Sequence, residues 1–208
     1  MKSRFPLSSR KRMSSCKTNR KNVCGRPTRG LVTLEAMIRD FVDRFRPGER
    51  DELAFFKEHP FTVALDHAAL AKDCRGKRFS HQRRLTRESL AKARGLLFEK
   101  QDELKRMQCF EGVLKIVQGI TRQVRGLGEL YAYDTALRIS AALGYEPVAV
   151  YLHAGTRVGA KRLGISTSRD YVSTLDLPVA LQKLPPHEVE SFLCIYKNQL
   201  GTLAGKYR

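Results

Sequence analysis

Residues that could carry out acid–base chemistry lie close together in the second half of the chain. Tyr133 and Asp134 are followed, after an apolar segment, by His153. A phenol, a carboxylate and an imidazole can exchange protons with a substrate if they meet in one pocket. These three residues are the candidate catalytic set. A structural interpretation stays open, because Asp134 and Arg138 have the spacing of an ion pair on one helix face and His153 ends an apolar run.

A glycine-rich turn precedes this set. The segment Val124-Arg125-Gly126-Leu127-Gly128 leads directly into an amphipathic run rich in alanine and leucine. Glycines at the start of a helix can present free backbone N–H groups to a phosphate. The turn therefore predicts nucleic-acid contacts at Arg125, Gly126 and Gly128.

Two other segments combine positive charge with the start of a helix. Residues 75–84 come just before Thr86, a predicted N-cap, and residues 155–162 contain Thr156, another candidate N-cap. Cations are unfavourable beside a helix amino terminus, so phosphate binding explains them better than stability does, although ion pairs with nearby acids are an alternative. Gly159 and Ala160 would also permit close approach of another backbone. The predicted nucleic-acid contacts here are Lys77, Arg78, His81, Arg83, Arg84, Thr156, Arg157, Lys161 and Arg162.

The overall charge favours the same class of partner. Lys and Arg number 39 against 21 Asp and Glu, which gives a net charge of +18 and an isoelectric point of about 10.1. Neutralisation of phosphates by such a surface releases counterions and stabilises complexes with DNA or RNA. Binding to an acidic protein within a nucleoprotein complex is the alternative.

The sequence contains no recognisable motif for binding a metal ion or a nucleotide cofactor. Five cysteines form no CxxC pair, and neither a P-loop nor a dinucleotide fingerprint occurs, so we expect no metal and no cofactor.

The longest apolar stretch, residues 139–153, contains glycine, glutamate and proline and is shorter than the roughly 20 residues that a bilayer requires. We therefore predict a cytoplasmic protein without a membrane partner.

The first 30 residues differ from the rest of the chain. They hold ten Lys or Arg and no acid, with little to bury. Such a segment favours a disordered basic arm that follows phosphates. An organelle transit peptide and a translated leader are the alternatives.

Residues 31–208 are predicted to form one mainly α, multi-helix globular domain. Apolar residues recur at helical spacing, and residues 165–176 are polar enough to be a loop or lid. The predicted helices span about 34–45, 49–57, 61–72, 87–106, 110–123 and 186–203, and a further helix follows the glycine turn.

The glycine turn and its flanking helices resemble a helix-hairpin-helix motif. Residues 110–164, about a quarter of the chain, are similar to the corresponding half of the helix-hairpin-helix DNA glycosylases, including Arg162-Leu163-Gly164 at a helix end. The resemblance implies that the hairpin grips a DNA backbone and that the protein is related to DNA repair enzymes. Two positions depart from the family: His153 occupies the place of the catalytic aspartate, and Leu130 that of the lyase lysine.

The sequence thus predicts a nucleic-acid-binding protein that contacts the backbone through the hairpin and basic loops. An enzyme of the glycosylase or nuclease type, using residues near Asp134 and His153, is the first alternative. A protein-interaction subunit of a nucleoprotein complex is the second.

Overall fold

The fold is mainly helical, as predicted. A computed structural model describes residues 26–203, which form nine α-helices and a two-stranded antiparallel sheet, with short 3₁₀ turns between them. In this part of the chain, no helix is both long and apolar enough to cross a membrane. The helices are α1 (Leu34–Arg44), α2 (Arg46–Glu58), α3 (Phe61–Ala69), α4 (Arg87–Glu99), α5 (Gln101–Arg106), α6 (Phe110–Gln123), α7 (Glu129–Leu143), α8 (Ala154–Arg162) and α9 (Pro186–Leu200), and the strands are β1 (Val150–Tyr151) and β2 (Tyr171–Val172).

Local sequence signals set several helix ends. The Thr86 hydroxyl accepts a hydrogen bond from the Ser89 backbone N–H at 3.1 Å, which confirms the predicted N-cap of α4. The predicted single helix over residues 87–106 is wrong in its continuity. Lys100, with φ −94° and ψ 8°, leaves helical geometry and separates α4 from α5.

Two hydrophobic clusters form the core. The first cluster is built by α2 to α7, and the second by α1, the two strands, α8 and α9. Helix α1 belongs to the second cluster although it precedes the first in the sequence. The chain therefore crosses from one cluster to the other after α1 and returns after α7.

Helices α6 and α7 are joined by residues 124–128, where the sequence predicted the glycine turn. Gly126 has φ +89°, and the Leu127 N–H donates to the Val124 carbonyl at 3.3 Å. A positive φ of this size is readily adopted only by glycine. The turn and the start of α7 at Glu129 are exposed.

The close contact between α8 and α9 depends on glycine. Gly155 packs against the sulfur of Cys194, and a Cβ atom at Gly159 would overlap the Leu193 carbonyl group. The prediction that Gly159 permits close approach of another backbone is confirmed. The predicted N-cap at Thr156 is wrong, because α8 begins at Ala154 and the Thr156 side chain is buried in the protein.

Two other expectations need correction. Residues 26–30 were assigned to the arm, but Thr28 contacts Asp40 and Gln199; the rest of the predicted arm lies outside the described residues. The segment 165–176 was predicted to be a loop or lid, but it contains β2, which pairs with β1.

We predict that Gly159→Ala lowers the free energy of unfolding by about 3 kcal/mol, because the methyl group forces α8 and α9 apart. Gly119→Ala is the matched control: Gly119 lies in α6 with open space at the Cβ position, so this change should stabilise by about 0.5 kcal/mol. Urea unfolding of both variants measures the difference. Equal changes in the free energy of unfolding at the two positions would contradict the close contact between α8 and α9 at Gly159.

Candidate functional site

A cavity of about 360 Å³ lies between the two hydrophobic clusters. Helices α2, α7 and α9 form most of its wall. Phe45, which precedes α2, His153, which follows β1, and His81 of residues 75–84, named here the basic loop, complete it. A volume of this size is typical of small-ligand sites. Its polar lining residues are Glu49, Glu52, His81, Asp134, Arg138, His153, His187, Glu190 and Ser191.

The first polar network of the cavity is centred on Asp134 and Arg138 of α7. His81 Nε2 and the Gln82 amide nitrogen each lie 2.8 Å from Asp134 Oδ2. Arg138 donates to Glu52 at 3.0 Å and to the Gln82 amide oxygen at 3.3 Å, and it lies 3.7 Å from Asp134. The predicted Asp134–Arg138 ion pair is therefore present, and Asp134 also lines the cavity.

The pKa values of the two carboxyls in this network are shifted in opposite directions. Burial alone would raise the pKa of Asp134, but the charge of Arg138 and the hydrogen bond from His81 outweigh it, so this pKa is lowered. Burial raises the pKa of Glu52, and Arg138 offsets only part of that effect. Asp134 is therefore the more readily ionised carboxyl of the two.

A second network joins α8 and α9 through His153. His153 Nε2 contacts the Glu190 carboxylate, and the Thr156 hydroxyl donates to the same Glu190 oxygen at 2.8 Å. Burial would lower the pKa of His153, but its hydrogen bond and ion pair with Glu190 raise this pKa instead. His153 thus shares the cavity with Asp134, as the catalytic hypothesis requires.

Tyr133 differs from the other two candidates. It does not line the cavity; its ring packs at 6.0 Å from the His153 ring. Its hydroxyl is buried without a hydrogen-bond partner among residues 26–203, and burial raises its pKa well above the usual value. Tyr133 therefore packs against His153 and lies outside the cavity lining.

The sequence analysis missed the acids that α2 and α9 contribute. Glu49 has a pKa well above its usual value because it is buried and because Glu190, Glu52 and Glu188 repel its charge. Glu190 could have been found from its spacing, because it lies three residues before Leu193 and therefore on the buried face of α9. Nothing in the local sequence distinguishes Glu49 from an ordinary acid in the first turn of a helix.

Some predicted nucleic-acid contacts are exposed near the place where α4 begins beside the glycine turn. The Ser89 hydroxyl near the start of α4 donates to the Arg125 carbonyl at 2.8 Å, which holds α4 against the glycine turn. Arg83, Arg84 and Arg125 are exposed and form no side-chain hydrogen bond or ion pair with any residue between 26 and 203. We name the surface formed by these three arginines, Gly126 and Gly128 the arginine edge.

Other residues that were predicted to contact nucleic acid form hydrogen bonds within the protein. The Arg78 guanidinium donates to the Leu85 carbonyl at 2.7 Å, and Arg157 binds the Thr167 carbonyl and the Asp170 carboxylate. Arg162 binds α9 through Asn198 at 3.2 Å. These side chains already bind groups of the fold and Thr156 is buried, so their contact with phosphate stays a prediction. His81 binds Asp134, and Lys77 and Lys161 are exposed outside the arginine edge.

No arrangement of three or more His, Cys, Asp or Glu side chains within the described residues could hold a metal ion. The cavity is instead lined by acids and bases, several of which are paired with one another. Such a set can bind polar groups and transfer protons.

We predict that Arg138→Met destabilises the protein by about 3–5 kcal/mol, because it leaves Glu52 and Asp134 without their shared buried cation. The change also removes the contact of the guanidinium with the Phe79 ring, 3.9 Å away. Lys105→Met, at an exposed ion pair with Asp102, is the control and should change stability by less than about 0.5 kcal/mol. Urea unfolding measures the stability of both variants. If Arg138→Met lowers the free energy of unfolding as little as Lys105→Met does, Arg138 is not central to the stability of the network.

We predict that His153 titrates above 6.5 and that Glu190→Gln lowers its pKa. Because the folded-state pKa is raised, the His153–Glu190 pair contributes stability below about pH 6.5 and loses it as pH rises through that pKa. NMR of the imidazole resonances measures the shift. His187 is an internal reference, since burial lowers its pKa. An unchanged His153 titration in the variant would show that Glu190 does not determine it.

Similarity to known proteins was tested at three levels. Comparisons with protein-family models, with curated proteins and with solved structures give no match. Function is therefore inferred from the cavity and the arginine edge.

Proposed function

We propose that this protein binds nucleic acid through the arginine edge, by contacts with the phosphate backbone and without strong sequence preference. The observation that carries the proposal is the hydrogen bond from Ser89 to the Arg125 carbonyl. It holds the start of α4, whose Ser89 N–H is capped by Thr86, beside the glycine turn and the start of α7, which has no side-chain cap.

The available charge on this surface supports the proposal. The unpaired arginines can each donate to phosphate oxygens, whereas Arg78, Arg157 and Arg162 already bind carbonyls of the fold. Glu88 and Glu129 occupy the first turns of α4 and α7, so the arginine side chains supply most of the attraction.

The basic loop also connects the edge with the cavity. His81 lines the cavity, and Arg83 and Arg84 lie two and three residues further along the chain. A nucleic acid on the edge would therefore pass near the cavity. This proximity favours a second candidate function, an enzyme of the glycosylase or nuclease type. That candidate is supported by the presence of both Asp134 and His153 in the cavity wall.

We predict that neutralising Arg83, Arg84 and Arg125 to Gln weakens binding of duplex or single-stranded DNA or RNA at least tenfold. The logarithmic salt slope should become shallower by about 2 to 3, because fewer counterions are released. Fluorescence anisotropy across a salt series, with several unrelated oligonucleotide sequences, gives both quantities.

The matched control neutralises Arg39, Arg169 and Lys183, which are exposed and lie outside the arginine edge. Both triple variants lose the same net charge. If they weaken binding equally, the interaction reflects net charge alone and the arginine edge is not the site. Absence of nucleic-acid binding at low salt would reject the proposal and favour an acidic protein partner. Strand or base cleavage that requires Asp134 would establish the second candidate.

A further inference from the structure

Glu49 is the only carboxyl of the cavity wall without a cation partner among residues 26–203. Glu52 binds Arg138, Asp134 contacts Arg138 and His81, and Glu190 contacts His153. Glu49 is half-buried and has a hydrogen bond with Ser191. A carboxylate partly withdrawn from water without a counter-ion is costly, and other acids nearby increase that cost. The cavity is therefore short of one positive charge whenever Glu49 is ionised.

We propose that the cavity binds a small organic cation with a short apolar body, of the alkylguanidinium or alkylammonium type, whose charged group pairs with Glu49. The cation would supply the missing counter-ion. The proposal concerns the cavity and not the arginine edge, so it does not depend on nucleic-acid binding.

The rest of the lining suits such a ligand. Apolar side chains form much of the wall and would contact the alkyl part, and a volume of about 360 Å³ accommodates a small organic molecule. The apolar lining residues are Phe45, Leu53, Leu130, Leu137 and Ile195.

An unpartnered polar atom gives independent support. His187 lines the cavity and is 6% exposed, and its Nδ1 has no hydrogen-bond partner among the described residues. Burial lowers the pKa of His187, which favours the neutral ring, and in the tautomer with the proton on Nε2 the Nδ1 atom is an acceptor. A ligand with several N–H groups can satisfy an acceptor of this kind while it pairs with Glu49.

Binding of a cation should be coupled to release of a proton from Glu49. The pKa of Glu49 is well above its usual value, so a proton competes with the ligand for this carboxyl. Affinity should therefore rise with pH, by up to about tenfold per unit, until the pH exceeds that pKa. The groups that act on Glu49 are Glu52 on its own helix, Tyr133 on α7, and Glu188, Glu190, Ser191 and Cys194 on α9.

The test compares two probes of nearly equal shape, n-butylguanidinium and the neutral n-butylurea. Each is titrated into the full chain between about pH 5 and pH 8. Calorimetry gives the affinity, and carboxyl ¹³C NMR gives the pKa of Glu49 with and without the ligand. The variants are Glu49→Gln, which removes the charge and keeps a polar side chain, and the control Glu35→Gln on the exposed face of α1.

We expect n-butylguanidinium to bind at least tenfold more tightly than n-butylurea at high pH, and to lower the pKa of Glu49 by at least one unit. Glu49→Gln should abolish both the preference and the pH dependence, and Glu35→Gln should change neither. The arginine-edge triple variant should bind the probe like the unaltered chain, which separates this proposal from nucleic-acid binding.

Three results would overturn the proposal. The first is equal affinity for the two probes across the pH range, and the second is guanidinium binding without a change in the pKa of Glu49. The third is lack of n-butylguanidinium binding at about 10 mM, a concentration at which even a millimolar site is occupied. The NMR titration needs no variant, so these outcomes stay decisive even if Glu49→Gln fails to fold.

Discussion

The buried guanidinium of Arg138 is the interaction on which the site depends. It is 4% exposed, contacts Glu52 on α2, Asp134 on α7 and Gln82 in the basic loop, and lies over the Phe79 ring. A planar group with five donors can hold several acceptors in fixed directions, which a lysine ammonium does less well. One side chain thus fixes the relative positions of three segments that form the cavity wall.

Charge is strongly separated over a short stretch of chain. His81 contributes to a cavity rich in carboxyls, and the next two basic residues, Arg83 and Arg84, belong to an exposed cationic edge. Carboxyls outnumber arginines in the cavity wall although the chain carries a net charge of +18. A polyanion and a small cation would be attracted to different parts of the molecule, although the two sites are neighbours.

The cavity exists because the core is divided. Helix α1 packs with the carboxy-terminal helices, while α2 packs with α7, so two hydrophobic clusters meet along a polar boundary. Within that boundary most charges are paired, and the pKa values of Asp134 and Glu49 are driven in opposite directions by their surroundings. Such opposite shifts of two carboxyl pKa values are common at functional sites, where a proton acceptor and a proton donor are needed together.

The sequence by itself determined the helices, the cap at Thr86 and the glycine turn near Gly126, because these depend on side-chain periodicity and on local hydrogen bonds or φ angles. It also placed Asp134 and His153 correctly as candidates for one pocket. It could not distinguish Arg125, which is free, from Arg157, which binds carbonyls of the fold. Nor could it identify Glu49, whose neighbours come from α7 and α9. Whether an arginine is paired, and which charges surround a carboxyl, is decided only by the tertiary structure, because burial and the pairing of charges depend on residues distant in the chain.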